Sequence, residues 1–248
     1  MAVSQGMREQ VIGYYDLPRA AVTTIYNSFD LAEMRRLALD DPETPVDGPF
    51  ILGCGRLVEM KGFEELIKAF AVVAVEPRHR ALRLLILGEG PLREALGQCA
   101  EQHGVGSRVL FGGFRANPWS YFSRARAFCL TSRGEGFGRV LVEAMACGAP
   151  VITSRCQWGP EEVVDQGKYG LLYDMGNIGQ LVDRLRALLE DDALRARLIA
   201  GGRTRSETFE QERVLPALEA CLVPAAAPAS DRASLRAVDA VDQHRVAE

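Results

Sequence analysis

A chain of 248 residues, 48% of them hydrophobic, has enough apolar surface for one enzyme-sized domain or two smaller ones. Its 29 basic residues stand against 33 acidic ones, a net charge of -4. That balance excludes the long-range pull that brings basic proteins to nucleic acid or anionic lipid, so any phosphate must be held by a local cluster.

In chain order, the first 45 residues predict one helix, a strand over 22–26 ending in Tyr26-Asn27, and a second helix before the Pro- and Asp-rich break at 40–49. Short apolar runs then recur at 50–54, 82–87, 108–111, 127–130, 150–153 and 170–173. Each has strand length, and several are apolar at consecutive positions, as strands buried on both faces require. Segments with helical period separate them, at 62–75, 91–103, 118–125, 139–147 and 178–190. Pro91 opens one after Gly-Glu-Gly, and Gly148 with Pro150 closes another. Alternating strand and helix predicts an α/β fold, a doubly wound parallel sheet of Rossmann-like type. A helical extension follows from 191 to about 223. The remainder, 224–248, is rich in Ala, Asp and Arg and predicts a loosely ordered tail.

Cys54, Cys99, Cys129, Cys147, Cys156 and Cys221 show no C-x-x-C spacing and read as small hydrophobes in a reducing compartment, with no structural metal. The opening MAVSQGMREQ lacks a secretory core and no apolar run has membrane-spanning length, so the expectation is a cytoplasmic protein, working at a membrane surface only through its acceptor or a partner.

In a doubly wound sheet ligands bind beyond the carboxyl ends of the strands, which directs attention to the loops 55–62, 88–90, 112–117 and 131–138. Arg56 and Lys61 lie in the first of these, within GRLVEMKGF, beside Gly53, Gly55 and Gly62. Two cations at a strand mouth suit a diphosphate, Arg gripping with a fork and Lys as a point charge; standing alone, the segment reads more readily as a solvated charged turn. In the last loop Glu135 and Glu143 flank a glycine-rich turn that opens a helix. Gly136 and Gly138 leave backbone N–H groups free at the helix N-terminus, a natural seat for phosphate. Glu143, about one turn into the helix, can accept from ribose hydroxyls and Glu135 from sugar hydroxyls; the plainer alternative is a helix-dipole role for Glu143 and solvent for Glu135. Gly53-Cys54-Gly55 and Gly88-Glu89-Gly90 lack the third glycine of a dinucleotide fingerprint, and there is no P-loop. His79, His103 and His244 read as surface histidines. Trp119, Tyr121 and Phe122 read as core.

The segments GRLVEMKGFEELIKAF, LLILGEGPLREAL, VLFGGF and SRGEGFGRVLVEAMACGAPVITSRCQWGPEEVV resemble, in order and spacing, the donor-binding domain of family-4 retaining glycosyltransferases of the GT-B fold. The resemblance covers residues 50–190. It implies that Arg56 and Lys61 grip the donor diphosphate in place of a metal ion, so no cofactor is expected. It also implies that Glu143 binds the ribose, Glu135 the transferred sugar, and the backbone of residues 137–141 (Phe137, Gly138, Val140, Leu141) with Gly136 the sugar and phosphates. Gly112, Phe114 and Arg115 would lie beside the base, and Gly53 at the interdomain cleft. The segment SRCQWGPEEVV is similar to one common in members that use UDP-hexoses or UDP-N-acetylhexosamines, which makes a UDP-sugar the expected donor. Residues 1–45 resemble the end of the N-terminal domain and its linker, residues 46–223 the nucleotide-sugar-binding domain with its C-terminal helices. The acceptor domain is therefore expected outside this chain, in a separate acceptor-binding polypeptide or a longer protein. A non-catalytic nucleotide-sugar-binding module and a nucleotide-sugar 2-epimerase are the alternatives.

Overall fold

The computed structural model describes residues 1–222; residues 223–248, where the loosely ordered tail is expected, lie outside the described residues. Six strands form one parallel sheet: β1 (Phe50–Cys54), β2 (Arg83–Leu87), β3 (Val109–Gly113), β4 (Ala127–Leu130), β5 (Val151–Ser154) and β6 (Leu171–Tyr173). Their order across the sheet is β3-β2-β1-β4-β5-β6, with Ile51 opposite Leu84 on one side and Ala127 on the other. The chain winds outward from β1 in one direction and from β4 in the other. Loops leaving these two adjacent strands therefore diverge and leave a crevice between them, the topological switch point of such sheets.

Both faces of the sheet are covered, which explains the unbroken apolar runs. Side chains alternate with the pleat: Ile51, Leu84, Ile86, Cys129 and Ile152 enter one core, and Phe50, Leu52, Leu85, Phe128 and Val151 the other. The first core is closed by α3 (Phe63–Ala74), α4 (Arg93–Gln102) and α8 (Ile178–Glu190). In α3, Phe63, Leu66, Ile67, Phe70, Val73 and Ala74 are buried, a 3.6-residue stripe pointing at the sheet. Complete burial of Phe70 stabilises by about 1.5–3 kcal/mol through removal of its ring from water. The second core lies under α2 (Leu31–Leu37) and α6 (Arg139–Ala146).

Side chains end the helices as the sequence demands. Asn177 Oδ1 accepts from Gln180 N at 3.0 Å to start α8, and Asp191 Oδ1 accepts from Leu194 N at 2.8 Å to start α9 (Asp192–Ser206), each satisfying a donor the helix itself cannot. The last of the described elements is α10 (Gln211–Leu222).

Two expected elements differ. Residues 22–26 form no strand: Thr24 makes a single parallel bridge with Ala2, across α1 (Gln5–Tyr15). An extended run needs continuous neighbours to become a ladder, and only Ala2 N to Thr23 O and Ile25 N to Ala2 O, both 2.9 Å, are available. The helix expected over 118–125 is the short α5 (Trp119–Phe122), because Ala127 must already be extended to enter β4. Tyr121 and Phe122 are buried, as expected for core residues.

Candidate functional site

The loop after β1 carries Arg56 and a 3-10 turn, Glu59–Lys61, that ends on Gly62 in the left-handed region at φ 61°. A side chain at Gly62 would meet the Thr131 carbonyl at 2.2 Å, so the turn lies directly against the loop after β4. Thr131 Oγ1 donates to the Lys61 carbonyl at 2.9 Å, and Arg133 N donates to the Met60 carbonyl at 2.8 Å. Two loops far apart in sequence are thereby joined across the switch point.

Lys61 and Glu135 form an ion pair there, with side chains only 20% and 15% exposed. Ser132 Oγ donates to the same Glu135 Oε1 at 2.7 Å, and the Ser132 carbonyl accepts from Ser154 Oγ at 2.5 Å. Residues 134–135 pair in parallel with 157–158, a two-residue ladder that fixes the backbone of Glu135. Arg56 stands exposed at the other side of the loop.

Beyond Gly136, Phe137 is buried between the rings of Tyr26, Phe29 and Phe209, with centroids 5.8, 6.4 and 5.2 Å away. This aromatic anchor places Gly138, left-handed at φ 89°, as the N-cap of α6. No side chain caps the helix; Leu141 N donates to the Gly138 carbonyl at 2.9 Å, and the start of the helix favours an anion. Leu141 is completely buried, and neither it nor Phe137 offers a side chain to a ligand; only their backbone is available. Glu143, half-buried on α6, has its carboxyl raised above the usual range by burial, partly offset by Arg139. Burial and the nearby Glu143 charge push the Cys54 thiol up to about 12.

Loops after β1, β2 and β3 are stitched by backbone bonds, Gly55 N to Leu87 O at 3.0 Å, Leu57 N to Glu89 O at 2.8 Å and Gly88 N to Gly113 O at 2.7 Å. They enclose a cavity of about 350 Å³ lined by Cys54, Arg56, Gly88, Phe114, Arg115 and Pro118 among others. Arg115 reaches Glu43 at 3.5 Å and Thr44 Oγ1 at 3.1 Å, while its Nε is buried without a partner. Phe114 is 70% exposed.

Gly53 is buried within β1: a Cβ there would meet Phe63 at 2.9 Å and Leu66 at 3.0 Å, so the glycine lets α3 approach the sheet. Other residues stand elsewhere than expected. His79 is not a free surface residue; its side chain is 10% exposed and its Nε2 lies 3.5 Å from Glu190 and 3.9 Å from Glu76. Those carboxylates already pair with Arg78 and Arg186. His103 is exposed, its Nδ1 2.8 Å from the Cys99 carbonyl, and His244 lies outside the described residues. Trp119, read as core, is only half-buried, and its Nε1 is buried without a hydrogen-bond partner. Ser132 and Ser154 were not singled out by their sequence context; a serine beside a glycine-rich turn carries no signal of its own.

Tyr26 ties the N-terminal segment to the site's support. Its Oη donates to Glu162 Oε1 at 2.5 Å, and Gln5 N donates to Glu162 Oε2 at 2.9 Å. Burial and then Glu162 raise the phenol from 10.0 to about 12. A proton held more tightly in the folded chain stabilises it below pH 10, and this contribution is lost as pH rises through about 12. Between pH 10 and 12, Tyr26→Phe is therefore expected to lose less stability than the parent in urea melts; parallel losses would remove Tyr26 as a source.

The family model for Glycosyl transferases group 1 matches residues 35–205. Among curated relatives, the N-acetylgalactosamine-N,N'-diacetylbacillosaminyl-diphospho-undecaprenol 4-alpha-N-acetylgalactosaminyltransferase of Campylobacter jejuni is 30% identical over 211 residues, covering 85% of this chain and 56% of that protein. The lipopolysaccharide core biosynthesis glycosyltransferase LpsD of Rhizobium meliloti is 36% identical over 179 residues, covering 72% of this chain and 50% of the relative. The chain spans about half the length of the curated relatives it matches. Among solved structures, Anabaena Alr3699/HepE in complex with UDP superposes with a TM-score of 0.77 at 26% identity, over 89% of this chain and 62% of that one. Among the described residues no helix is long and apolar enough to cross a membrane.

Proposed function

The chain belongs to the group 1 glycosyl transferases, and on that footing we propose that it forms the nucleotide-sugar-binding half of a family-4 retaining enzyme. The donor in this reading is a UDP-linked hexose or N-acetylhexosamine, and the acceptor is held by a second Rossmann-like half. The observation that carries it is the contact across the switch point of Lys61, from the loop after β1, with Glu135, from the loop after β4; Arg56 in the first loop, and the uncapped N-terminus of α6 with Glu143 beyond the second, support it. Relatives half matched by this chain are named as transferases of sugars, and the UDP held by the Anabaena neighbour supports the choice of base.

In this reading the diphosphate lies over the N-terminus of α6 between Arg56 and Lys61. The bond from the sugar's anomeric carbon to the phosphate oxygen breaks, and negative charge grows on the departing nucleoside diphosphate. Cations and amides already aimed at that charge stabilise the transition state more than the ground state. They take the part a divalent metal plays in other transferases, so the residues require no cofactor. Glu135 holds the hydroxyls of the sugar, and Glu143 holds the ribose from its half-buried place beside Cys54. The cavity bordered by Phe114 and Arg115 receives the base, and the backbone from Gly136 to Leu141, with Val140 at the first turn of α6, faces sugar and phosphate. Gly112 contributes at the end of β3.

Titration with UDP, GDP and ADP tests the reading. UDP is expected to bind most tightly; failure of all three to bind sinks it. Glu143→Ala is expected to weaken the nucleoside diphosphate by about 1.5–3 kcal/mol, the worth of hydrogen bonds to a charged group, and to leave inorganic pyrophosphate nearly unchanged because pyrophosphate has no ribose. Equal losses for both ligands would withdraw the ribose role.

A further inference from the structure

We infer that the Lys61–Glu135 ion pair is a catch that the diphosphate opens, Lys61 passing from Glu135 to the phosphates while Ser132 retains Glu135 for the sugar. The inference rests on the reading of the site given above. In the structure the cation for the leaving group and the carboxylate for the sugar neutralise each other, with both side chains largely withdrawn from water. A diphosphate shares the Lys61 charge with Glu135 for as long as that pair holds, and it arrives beside a carboxylate that repels it.

Three features let the exchange occur with little backbone movement. The Lys61 carbonyl is held by Thr131 Oγ1, so only the side chain needs to swing. Its methylene stem runs over Gly55, where an added Cβ would lie 3.5 Å from Lys61 Cδ and Cε; the missing side chain leaves the stem room to turn towards Arg56. Ser132, completely buried, donates to the same oxygen of Glu135 that Lys61 holds. When Lys61 leaves, that oxygen keeps one donor, and Ser154 bonding to the Ser132 carbonyl fixes the donor itself. Ser132 is thus a positioning residue acting through Glu135.

The chemistry gives a result opposite to what loss of a site residue ordinarily does. Glu135→Gln releases Lys61 in advance, and is expected to tighten binding of the nucleoside diphosphate by roughly five- to tenfold, the scale of a partly buried ion pair. In a Lys61→Met background the same change is expected to tighten binding by less, because only the repulsion of the carboxylate is relieved and there is no pair left to break. Ser132→Ala is expected to weaken the nucleoside diphosphate by about two- to threefold, since the freed carboxylate loses its second donor, and this loss should vanish when Glu135 is already Gln. Neither Glu135→Gln nor Lys61→Met empties a core position, so both variants report on binding and not on folding.

Calorimetric titration of the parent, the three single variants and the two pairs with UDP, GDP and ADP decides it. Tightening by Glu135→Gln that shrinks in Lys61→Met establishes the exchange. Tightening that persists undiminished in Lys61→Met shows mere repulsion and overturns it, as does unchanged or weaker binding by Glu135→Gln. A parent that binds none of the three nucleotides removes the reading of the site itself, and the inference with it. A Ser132→Ala loss of equal size in the Glu135→Gln background overturns the positioning role alone.

Discussion

Lys61→Ala is expected to weaken binding of a nucleoside diphosphate by about 1.5–3 kcal/mol, roughly ten- to 150-fold, the worth of a charge-assisted hydrogen bond. The loss has two sources. A cation disappears from the phosphate side, and Glu135, only 15% exposed, is left with Ser132 as its hydrogen-bond donor and a full negative charge facing the ligand. Arg56 remains, and because a guanidinium keeps its charge at every accessible pH, residual binding should persist. Calorimetry with UDP checks the result. An affinity within about twofold of the parent, smaller than any charge-assisted bond, would take Lys61 out of the site. Sugar transfer, measured with the acceptor-binding half supplied, should fall further than binding does, because the cation matters most when charge develops on the leaving group.

The second large effect concerns the joint and not the ligand. Gly62→Ala is expected to destabilise the chain by about 2–4 kcal/mol, combining the left-handed backbone penalty with overpacking. Gly62 has φ 61°, and its missing Cβ would sit 2.2 Å from the Thr131 carbonyl. The clash is with backbone, so no rotamer change relieves it. To make room the turn must separate from the loop after β4, which breaks the bonds from Thr131 Oγ1 to Lys61 O and from Arg133 N to Met60 O. Urea melts should show the lower midpoint and nucleotide titration the lost affinity together. Parental stability would show that the two loops are not braced at this point.

The frame was legible because strands buried on both faces must be apolar at consecutive positions, and the six runs from Phe50 to Tyr173 are. Helix boundaries were legible from Gly62, Gly138 and Gly148. What could not be read from local pattern is adjacency. Lys61 and Glu135 are 74 residues apart, and only the placement of β4 beside β1 brings them into contact. Ser132 escaped notice for the same reason: its importance lies in the oxygen it reaches. Gly53 meets the same limit: a glycine that admits a helix and one that admits a ligand look alike in a sequence. Residues 22–26 have strand composition, but the partner that would make them a strand amounts to one bridge with Ala2. His79 sits in a charged stretch, yet the end of α8 folds over it and brings Glu190 within reach.

The ring of Phe209 stands against Phe137 and Tyr26, and the backbone of residues 209 and 211 bonds to Phe29 on both sides. Segments near the two ends of the described chain are thus clasped behind the loop that leads into α6. Phe29, Phe137 and Phe209 are buried in the same core as Leu52, Phe128 and Leu130 of β1 and β4, so the clasp opens only when that core does. On warming, the hold on a ligand and the strands should therefore be lost together, with hydrogen exchange at Gly138 and Arg139 keeping pace with exchange in β1 and β4. The ends of the described chain are thus as much a part of the site's frame as the sheet is.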